Sequence, residues 1–355
     1  MLDNILGKII LSPFSLLYAI AVGIRNILYD TQVLKSTQFN LPVISIGNLS
    51  VGGAGKTPHI EYLIMLLKDY LKVSTLSRGY KRKTKGFRWV NIKDHAYLSG
   101  DEPLQYKRKW PEIDVAVSES RNLGIPLMLQ QRPYIQTVLL DDAFQHRGVH
   151  PGLNILLTTF EEPYTRDYLL PAGRLREFRN AADRADIIIV SKCPEVLSQE
   201  DLQKMKLEID PKPHQQLYFS YYRYMEPYFM YNPMIKKDLS EFSKVIVLSA
   251  IANVEYFLDH IDPRVEIVHL YKYEDHHFFR ENELDILKRS LDEINDPNAA
   301  VLTTEKDAMR LDLHRNYIVK YKMPIYVLPA IVDFHDQGKQ KFDQQVRNYL
   351  LEFQV

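Results

Sequence analysis

The residues with the clearest chemical meaning form a glycine-rich segment from Gly47 to Thr57 that ends in Gly55-Lys56-Thr57. Between a strand and a helix, such a loop directs backbone N–H groups at phosphate oxygens. The lysine can reach the β- and γ-phosphates of ATP, and the threonine hydroxyl can bind Mg²⁺. Ser50 stands where the motif usually has glycine, but the remaining glycines supply backbone freedom. We therefore predict a nucleotide-binding loop made of Ser50, Val51, Gly52, Gly53, Ala54, Gly55, Lys56 and Thr57.

A second segment suited to phosphate chemistry starts with the apolar run Thr137–Leu140 and continues into Asp141 and Asp142. P-loop proteins hold Mg²⁺ with a carboxylate at the end of such a strand. His146 and Arg147 follow closely. One aspartate after an apolar run is also typical of a solvated strand end. Two of them downstream of a phosphate loop predict the second nucleotide-binding motif of a P-loop domain.

Two further polar segments contain groups that could act on an acceptor hydroxyl. Asp101 and Glu102, in Gly100-Asp-Glu-Pro103, lie where a helix is expected to begin. Acidic residues at that place also cap helices, so the pattern alone leaves both roles open. Segment 171–177 contains Arg174, Arg176 and Glu177. An arginine beside a transferred phosphate stabilises its charge, whereas on a surface it forms a salt bridge.

The segment Asp275-His276-His277 combines an acid with two imidazoles. Such a group can transfer protons, hold structure through hydrogen bonds or bind zinc. Adjacent side chains do not readily form a closed zinc site, so a metal is the least favoured interpretation. The spacing alone does not decide between catalysis and structure.

A P-loop does not by itself distinguish a GTPase, a membrane-associated positioning ATPase and a kinase. A GTPase needs Asn-Lys-x-Asp to recognise its base, and the nearest segment, Ser191-Lys192-Cys193-Pro194, lacks both the asparagine and the aspartate. Positioning ATPases have a second lysine in the loop, where this chain has Val51. These absences favour a kinase. A nucleotide-switched membrane ATPase is the alternative, and a P-loop ligase or small-metabolite kinase is a third possibility.

The elements that position these residues alternate between apolar strands and amphipathic helices. A helix is predicted over Thr57–Leu71, with further helices over 101–109, 119–131 and 198–209. Strands are predicted at Val43–Gly47, Val73–Ser77, Asp114–Val117, Thr137–Asp141, Leu153–Thr158 and Asp186–Ser191. This alternation predicts an α/β fold, with a mostly parallel sheet covered by helices on both faces.

The pattern changes near residue 215. Leu217–Tyr231 contains six tyrosines around Glu226-Pro227, which is typical of a two-stranded ribbon or of a linker with packed aromatic faces. New strands follow at Val245–Ser249, Val265–Leu270, Ala300–Thr303 and Ile325–Leu328, with helices between them. They predict a second, smaller α/β unit, followed by a final helix over about Lys339–Phe353.

The length of 355 residues suits two domains, and 45 Lys+Arg balance 45 Asp+Glu. This balance argues against a nucleic-acid partner. The single cysteine, Cys193, excludes a disulfide framework and a multi-cysteine zinc site. Residues 1–110 nevertheless carry 16 Lys and Arg against 7 Asp and Glu. The dense basic group within Arg78–Arg88 suits a substrate phosphate, anionic lipid headgroups or merely a solvated loop.

The N-terminal segment between Lys8 and Arg25 holds 16 residues without a charged side chain. A helix needs about 20 apolar residues to cross a bilayer, so this run is short. A buried helix and a helix lying in the membrane surface both fit it. An exported signal is the third interpretation, because Ala19-x-Ala21 is typical of a cleavage site, although Asp3 weakens the positive region before it.

Together these motifs resemble those of the tetraacyldisaccharide 4′-kinases, which phosphorylate the lipid A precursor of Gram-negative bacteria. The one departure is Phe178, where proline is expected after Arg176-Glu177. The matching segments occur in the family's order: Gly47-Asn48, Gly52-Gly53-x-Gly55-Lys56-Thr57-Pro58, Ser77-Arg78-Gly79-Tyr80, Gly100-Asp101-Glu102-Pro103, Asp141-Asp142-x-Phe144-Gln145-His146-Arg147, Pro171-x-Gly173-x-Leu175-Arg176-Glu177, Asp275-His276-His277 and Thr304-Glu305-Lys306-Asp307.

The resemblance implies a P-loop domain joined by a β-ribbon to the smaller domain, with the active site in the cleft between them. We expect a membrane-associating helix over 1–29, the P-loop domain over 30–215, the ribbon over 216–236, the smaller domain over 237–332 and the C-terminal helix over 333–355. The resemblance also implies a peripheral enzyme on the cytoplasmic face of the bacterial inner membrane. We expect a monomer, although the sequence itself does not reveal the oligomeric state. Its reaction would transfer the γ-phosphate of ATP to the 4′-hydroxyl of an acylated glucosamine disaccharide 1-phosphate.

The resemblance further suggests a role for each polar residue. Asp101 is the expected base and His276 its partner for orientation or proton relay. Lys56 and Arg176 would neutralise phosphate oxygens, and His146 would orient Asp141 and Asp142 or a phosphate. Mg²⁺ ligands are expected among Thr57, Asp142, Glu102 and Glu177.

Overall fold

Runs of consecutive apolar residues produce strands that are buried on both faces. In this computed structural model, which describes residues 5–353, the strands are numbered in chain order. They are β1 (Val43–Asn48), β2 (Val73–Ser77), β3 (Arg88–Trp89), β4 (Asp114–Val117), β5 (Thr137–Asp141), β6 (Leu153–Thr159), β7 (Ile187–Ser191), β8 (Gln216–Tyr224), β9 (Tyr228–Phe229), β10 (Asn232–Lys236), β11 (Lys244–Ser249), β12 (Glu266–Lys272), β13 (Ala300–Thr303), β14 (Ile325–Val327) and β15 (Ala330–Phe334).

The α-helices alternate with these strands along most of the chain. They are α1 (Ile5–Asp30), α2 (Lys56–Leu67), α3 (Ala96–Ser99), α4 (Asp101–Lys109), α5 (Arg121–Gln131), α6 (Gln199–Ile209), α7 (Glu255–Ile261), α8 (Glu281–Ile294), α9 (Glu305–Leu311), α10 (Arg315–Lys320) and α11 (Gly338–Glu352).

The larger sheet has the strand order β15-β8-β7-β6-β1-β5-β2-β4-β3. The strands from β8 to β4 run parallel, and an antiparallel strand closes each end. Alternate side chains of β1 face opposite layers, since Ile44 and Ile46 pack with α2 and α11 while Val43 packs with α5. The predicted α/β class, with a mostly parallel sheet and helices on both faces, is confirmed.

The smaller sheet has the order β10-β9-β14-β13-β11-β12, and its last four strands run parallel. Different helices cover its two faces. Val245 and Val247 pack with α7, whereas Ile246 and Leu248 pack with α8 and α10. The second α/β unit expected from the sequence is therefore present.

The connection between the two sheets differs from the expected ribbon over 216–236. The strand β8 pairs in parallel with β7 and in antiparallel fashion with β15, so it continues the larger sheet. The strands β9 and β10 belong to the smaller sheet instead. The ribbon between the domains is thus formed by β8 and β15, which lie far apart in sequence. The helix α11 then packs on the larger sheet through Phe342 and Val346.

Because the parallel strands end at one edge of the larger sheet, the loops that follow them converge there. The loop after β1 leads into α2, and Asp141 and Asp142 stand at the end of β5. Lys192 follows β7 at the same edge. This topology brings residues from three separate sequence segments to the site described next.

Candidate active site

The phosphate loop connects β1 to α2 with the backbone that its glycines permit. Gly52 and Gly55 have φ of 122° and 85°, a region that side chains with a Cβ rarely adopt. A Cβ on Gly55 would also overlap the Tyr222 hydroxyl. The loop is held from outside as well, since the N–H of Val51 donates to the carbonyl of Arg174 at 2.8 Å.

Four polar side chains meet beside this loop. Lys56 Nζ donates to Asn48 Oδ1 at 3.0 Å and lies 3.7 Å from Asp142 Oδ1. Arg176 Nη2 donates to the same Asn48 oxygen at 2.6 Å and to Asp142 at 2.9 Å. Burial alone would raise the pKa of Asp142, but the charges of Lys56 and Arg176 lower it below its usual range. A pair of cations therefore flanks an ionised carboxylate at the start of the P-loop helix.

The neighbouring Asp141 is also buried, but its pKa is shifted in the direction opposite to that of Asp142. Its Oδ2 accepts hydrogen bonds from Tyr106 at 3.1 Å and Ser77 at 3.3 Å, while Oδ1 has no partner. Burial and the negative charges of Glu102 and Asp142 raise the pKa of Asp141 to about 7. The two adjacent aspartates thus have pKa values shifted in opposite directions.

The helix α4 brings two further carboxylates from its first turn. Glu102 Oε1 accepts a hydrogen bond from Thr57 Oγ1 at 3.1 Å and lies 3.1 Å from Lys306 Nζ of α9. Burial alone would lower the pKa of Lys306, but the negative charges of Glu102, Asp101 and Asp275 raise it above its usual value. Glu102 therefore joins the P-loop helix to a cation of the smaller domain.

Asp101 contacts the smaller domain directly. His276 Nδ1 lies 2.9 Å from Asp101 Oδ2, and Arg310 Nη1 lies 3.1 Å from the same oxygen. Lys306 Nζ lies 3.1 Å from the other ring nitrogen of His276. These contacts fit a neutral imidazole that donates from Nδ1 to Asp101 and accepts from Lys306 at Nε2. The Tyr80 ring lies 4.7 Å from the His276 ring, measured between centroids.

The surroundings of Asp101 keep its carboxylate ionised. Burial alone would raise the pKa of Asp101, but the positive charge of Lys306, the hydrogen bond from His276 and the positive charge of Arg310 hold it below its usual range. An ionised carboxylate can accept a proton or orient a hydroxyl. It is nevertheless a weak base in this environment, so its chemistry depends on how acidic the acceptor becomes.

The comparisons with known proteins agree with this geometry. The sequence profile described as tetraacyldisaccharide-1-P 4′-kinase matches residues 7–350. This chain belongs to that family.

Relatives within the tetraacyldisaccharide-1-P 4′-kinase family cover almost the whole chain. The tetraacyldisaccharide 4′-kinase of Flavobacterium johnsoniae is 40% identical over 350 residues, 98% of each chain. That of Bacteroides thetaiotaomicron is 40% identical over 353 residues, which cover 96% of this chain and 93% of the relative. The crystal structure of LpxK from Aquifex aeolicus in complex with ATP is similar with a TM-score of 0.73 and 28% identity, covering 97% of this chain and 99% of that one.

The structure brings most of the residues predicted for the family's reaction into one cleft, but Glu177 lies apart. Its carboxylate accepts from Arg184 Nη2 at 2.8 Å, and the residue is only 1% exposed. Of the four expected Mg²⁺ ligands, Thr57, Asp142 and Glu102 lie close to the phosphate loop, whereas Glu177 is engaged by Arg184. Glu177 would have to leave Arg184 to join them.

The two histidines expected near the cleft have distinct surroundings. His276 faces Asp101, whereas His277 is paired with Glu283 at 2.9 Å and stacks on Tyr273. In the larger domain, burial and the charge of Arg121 lower the pKa of His146 to about 4. His146 is therefore neutral at physiological pH and can accept a hydrogen bond near Asp142.

The oxygen donors of the cleft match Mg²⁺ rather than a metal bound wholly by protein. In residues 5–353 no cluster of three or more His, Cys, Asp or Glu side chains suits a metal ion. Mg²⁺ is usually held by one or two carboxylates together with substrate phosphates and waters. The Thr57 hydroxyl, Glu102 and Asp142 carry oxygen atoms of the kind that such a partial site needs.

Three side chains of the cleft had no role assigned from the sequence. Asn48 is 2% exposed and joins Lys56 to Arg176. Lys306 bridges Glu102 and His276, and Lys192 lines the cleft beside Gly53. In the sequence, an asparagine at the end of an apolar strand points to Asn48, and a lysine in the first turn of a helix after a strand points to Lys306.

The basic group at 78–88 is largely occupied by contacts within the protein. Arg82 pairs with Glu119 at 2.6 Å, and Arg88 pairs with Asp94 at 2.6 Å. Lys81 donates to the carbonyls of Asp275 and His276, both at 3.2 Å. The loop therefore contacts the segment of the smaller domain that carries His276.

The N-terminal helix is apolar and largely unpartnered on one side. Within the described residues, Gly7–Asp30 is the segment long and apolar enough to cross a bilayer: it has 24 residues and contains an 18-residue window with a mean hydropathy of 1.7. Eight of its large apolar side chains are more than half exposed, namely those of Ile9, Ile10, Phe14, Leu16, Leu17, Ile20, Ile24 and Ile27. An apolar helix of this kind is a candidate for membrane association.

Proposed function

We propose that this chain transfers the γ-phosphate of ATP to the 4′-hydroxyl of the tetraacyldisaccharide 1-phosphate precursor of lipid A. The observation that carries this proposal is the meeting of Asp101 with His276 next to Thr57 of the phosphate loop. A phosphate donor held on the loop and a hydroxyl held near Asp101 would lie in the same cleft. The membership of the chain in the tetraacyldisaccharide-1-P 4′-kinase family also supports the proposal.

The cations of the cleft have a clear role in such a transfer. In phosphoryl transfer the charge spreads over the equatorial oxygens of the moving group, and catalysis depends on positioning and electrostatics. Lys56 lies where it can contact the β- and γ-phosphates, and Arg176 lies beside it against Asp142. When bound to Thr57, Asp142 and Glu102, Mg²⁺ would supply further neutralisation of the phosphate oxygens.

Asp101 would orient the acceptor hydroxyl and receive its proton. Because the transition state is loose, the hydroxyl becomes strongly acidic only as the new P–O bond forms. A weakly basic but ionised carboxylate can then accept the proton late in the step. His276 would hold that carboxylate in place, while Lys306 holds His276 in the tautomer that donates to it.

The exposed apolar face of α1 suits an enzyme whose acceptor is a lipid. We propose that this face lies in the cytoplasmic surface of the bacterial inner membrane, as a peripheral anchor. A helix that dips one face into the bilayer holds the protein close to substrates that do not leave it. ATP, which is made inside the cell, would reach the phosphate loop from the cytoplasm.

A nucleotide-switched membrane ATPase without transfer is the competing function. It has no use for an ionised carboxylate and an imidazole that meet across the cleft, and the loop lacks the second lysine at Val51. The test is incubation of the full chain with γ-labelled ATP, Mg²⁺ and an acylated glucosamine disaccharide 1-phosphate in mixed micelles. Labelled lipid with the phosphate on the 4′-oxygen is expected. ATP hydrolysis that leaves the lipid unlabelled would contradict the proposal.

A further inference from the structure

The N-terminal helix α1 has a polar face that contacts the body of the protein opposite its exposed apolar face. Ser15 Oγ donates to the carbonyl of Leu169 at 3.2 Å and accepts from the N–H of Ala172 at 2.9 Å. Three residues later, the Tyr18 hydroxyl donates to the carbonyl of Arg176 at 2.9 Å. Ser15 and Tyr18 therefore hold both ends of one loop, 169–176.

The same face of α1 also contacts the loop that follows β5. Arg25 Nη2 donates to the carbonyl of Gln145 at 2.6 Å. In return, Arg147 donates to the carbonyl of Asn26 at 3.2 Å and pairs with Asp30 at 2.5 Å. Five side chains of two separate segments thus fix α1 against the catalytic edge of the sheet.

Both of these loops carry groups that we assign to the phosphate site. Arg176, whose carbonyl is held by Tyr18, directs its guanidinium at Asp142 and Asn48. Gln145 donates from its side chain to the carbonyl of Asn48 at 3.0 Å. The helix α1 therefore bonds to the backbone of two residues, Arg176 and Gln145, whose side chains contact the surroundings of Lys56.

An aromatic residue of the same segment adds an apolar contact to the polar ones. Phe178 replaces the proline expected after Arg176-Glu177, and its ring lies 3.8 Å from the position that a Cβ on Gly23 would take. A Cβ on Gly23 would therefore be in ordinary van der Waals contact with this ring. The loop after Arg176 is thus packed against α1 as well as hydrogen-bonded to it.

We infer that α1 does more than anchor the protein: through Tyr18 and Ser15 it positions Arg176 for phosphoryl transfer. This inference rests on the proposed kinase function and on membrane seating of the apolar face. Tyr18 and Ser15 are positioning residues, because they act through the backbone of the loop and touch no reacting atom. The helix α1 and the loop 169–176 then move as one unit, so the position of α1 in the membrane also determines the position of Arg176.

The test compares the variant Ser15→Ala/Tyr18→Phe of the full chain with Ser12→Ala. Ser12 lies one turn earlier on the same helix and bonds only to the carbonyl of Ile9 within it. Loss of the two loop contacts is expected to lower kcat for lipid phosphorylation about tenfold, because small misplacements of a catalytic group are costly. KM for ATP and co-sedimentation with anionic vesicles should match those of the wild type. Ser12→Ala should behave as wild type throughout.

A double-mutant cycle separates positioning from general destabilisation. In an Arg176→Ala background, the same two changes should have almost no further effect on kcat, since the group that they position is gone. An unchanged kcat in the Ser15/Tyr18 variant would overturn the inference. So would effects that are additive with Arg176→Ala, or a fall in kcat that simply follows a loss of vesicle binding. If the wild type labels no lipid, the proposed function fails instead.

Discussion

His276 Nδ1, in the smaller domain, lies 2.9 Å from Oδ2 of Asp101, in the first turn of α4 in the P-loop domain. The contact joins residues that are 175 positions apart in the chain. It places an imidazole and an ionised carboxylate at the mouth of a phosphate loop. The account of this protein as a lipid kinase depends on what these two groups do there.

Lys192 gives a pH-dependent prediction for the nucleotide side of the cleft. Burial lowers the pKa of Lys192 to about 8, and the ammonium lies 3.7 Å from where a Cβ on Gly53 would be. The lysine is charged below that pH and attracts phosphate, whereas above it the charge is lost. We expect kcat/KM for ATP to fall as the pH rises through about 8 in the wild type. Lys192→Arg stays charged and should lack this fall; identical pH profiles would contradict the role.

Lys109 gives a prediction about stability. Its ammonium lies 2.8 Å from Glu61 of α2 and 2.9 Å from Glu305 of α9, and both carboxylates are largely buried. Burial and the charge of Glu61 raise the pKa of Glu305 to about 7. The charge and the hydrogen bond of Lys109 act in the other direction and favour the ionised carboxylate. Lys109→Met leaves two buried acids facing each other, so it should reduce the free energy of unfolding by about 3 kcal/mol.

The matched control for Lys109 is Lys68→Met, which removes a pair with the exposed Asp69 on the surface. Surface pairs contribute little, so this variant should unfold like the wild type. Adding Glu305→Gln to Lys109→Met should restore part of the lost stability, because one of the repelling charges is removed. Chemical denaturation measures all four proteins. Equal stability of Lys109→Met and the wild type would show that the bridge between the domains is unimportant.

The exposed face of α1 predicts membrane binding that is separable from folding. Replacing Leu16, Leu17 and Ile20 by aspartate should weaken co-sedimentation with anionic vesicles by about tenfold or more, since their apolar surface no longer enters the bilayer. These side chains are more than half exposed, so the unfolding midpoint should stay unchanged. Val196→Asp, on a side chain that is 90% exposed elsewhere, is the control. Undiminished sedimentation of the triple variant would remove α1 as the anchor.

Asp142 gives a prediction about Mg²⁺. Its carboxylate lies between Lys56 and Arg176 and is kept ionised by them. Asp142→Asn should raise the Mg²⁺ concentration needed for half-maximal activity by about tenfold, because an amide is a poorer ligand than a carboxylate for a hard cation. Asp69→Asn, an exposed carboxylate beyond the end of α2, should leave the Mg²⁺ requirement unchanged. The same requirement in both variants would exclude Asp142 from the metal site.

The sequence predicted those parts of the fold and site that depend on neighbouring residues. The unit β1-loop-α2 and the pair Asp141-Asp142 each follow from short, local patterns of glycine, apolar and charged residues. The prediction for α4 matches the structure at both ends, Asp101 and Lys109, because its acidic first turn and basic last turn suit the helix dipole. The family resemblance rested on these same segments and is confirmed.

Features set by long-range pairing could not be predicted in this way. The strand β8 was expected to pair within the ribbon over 216–236, but it pairs with β15, more than a hundred residues away. Likewise, the contacts of Lys306 and Arg310 with Glu102 and Asp101 arise only when the two domains meet. Glu177 carries the signal of a metal ligand, yet its burial against Arg184 is a property of the tertiary fold.

The central claim is tested most directly by single-turnover transfer from γ-labelled ATP to the lipid disaccharide in the wild type and Asp101→Asn. The variant keeps the shape of the side chain but cannot accept a proton. The rate of label transfer should fall by a factor of about 10² to 10⁴, while ATP binding measured in the absence of lipid stays within about twofold. Transfer at the wild-type rate by Asp101→Asn would contradict the account.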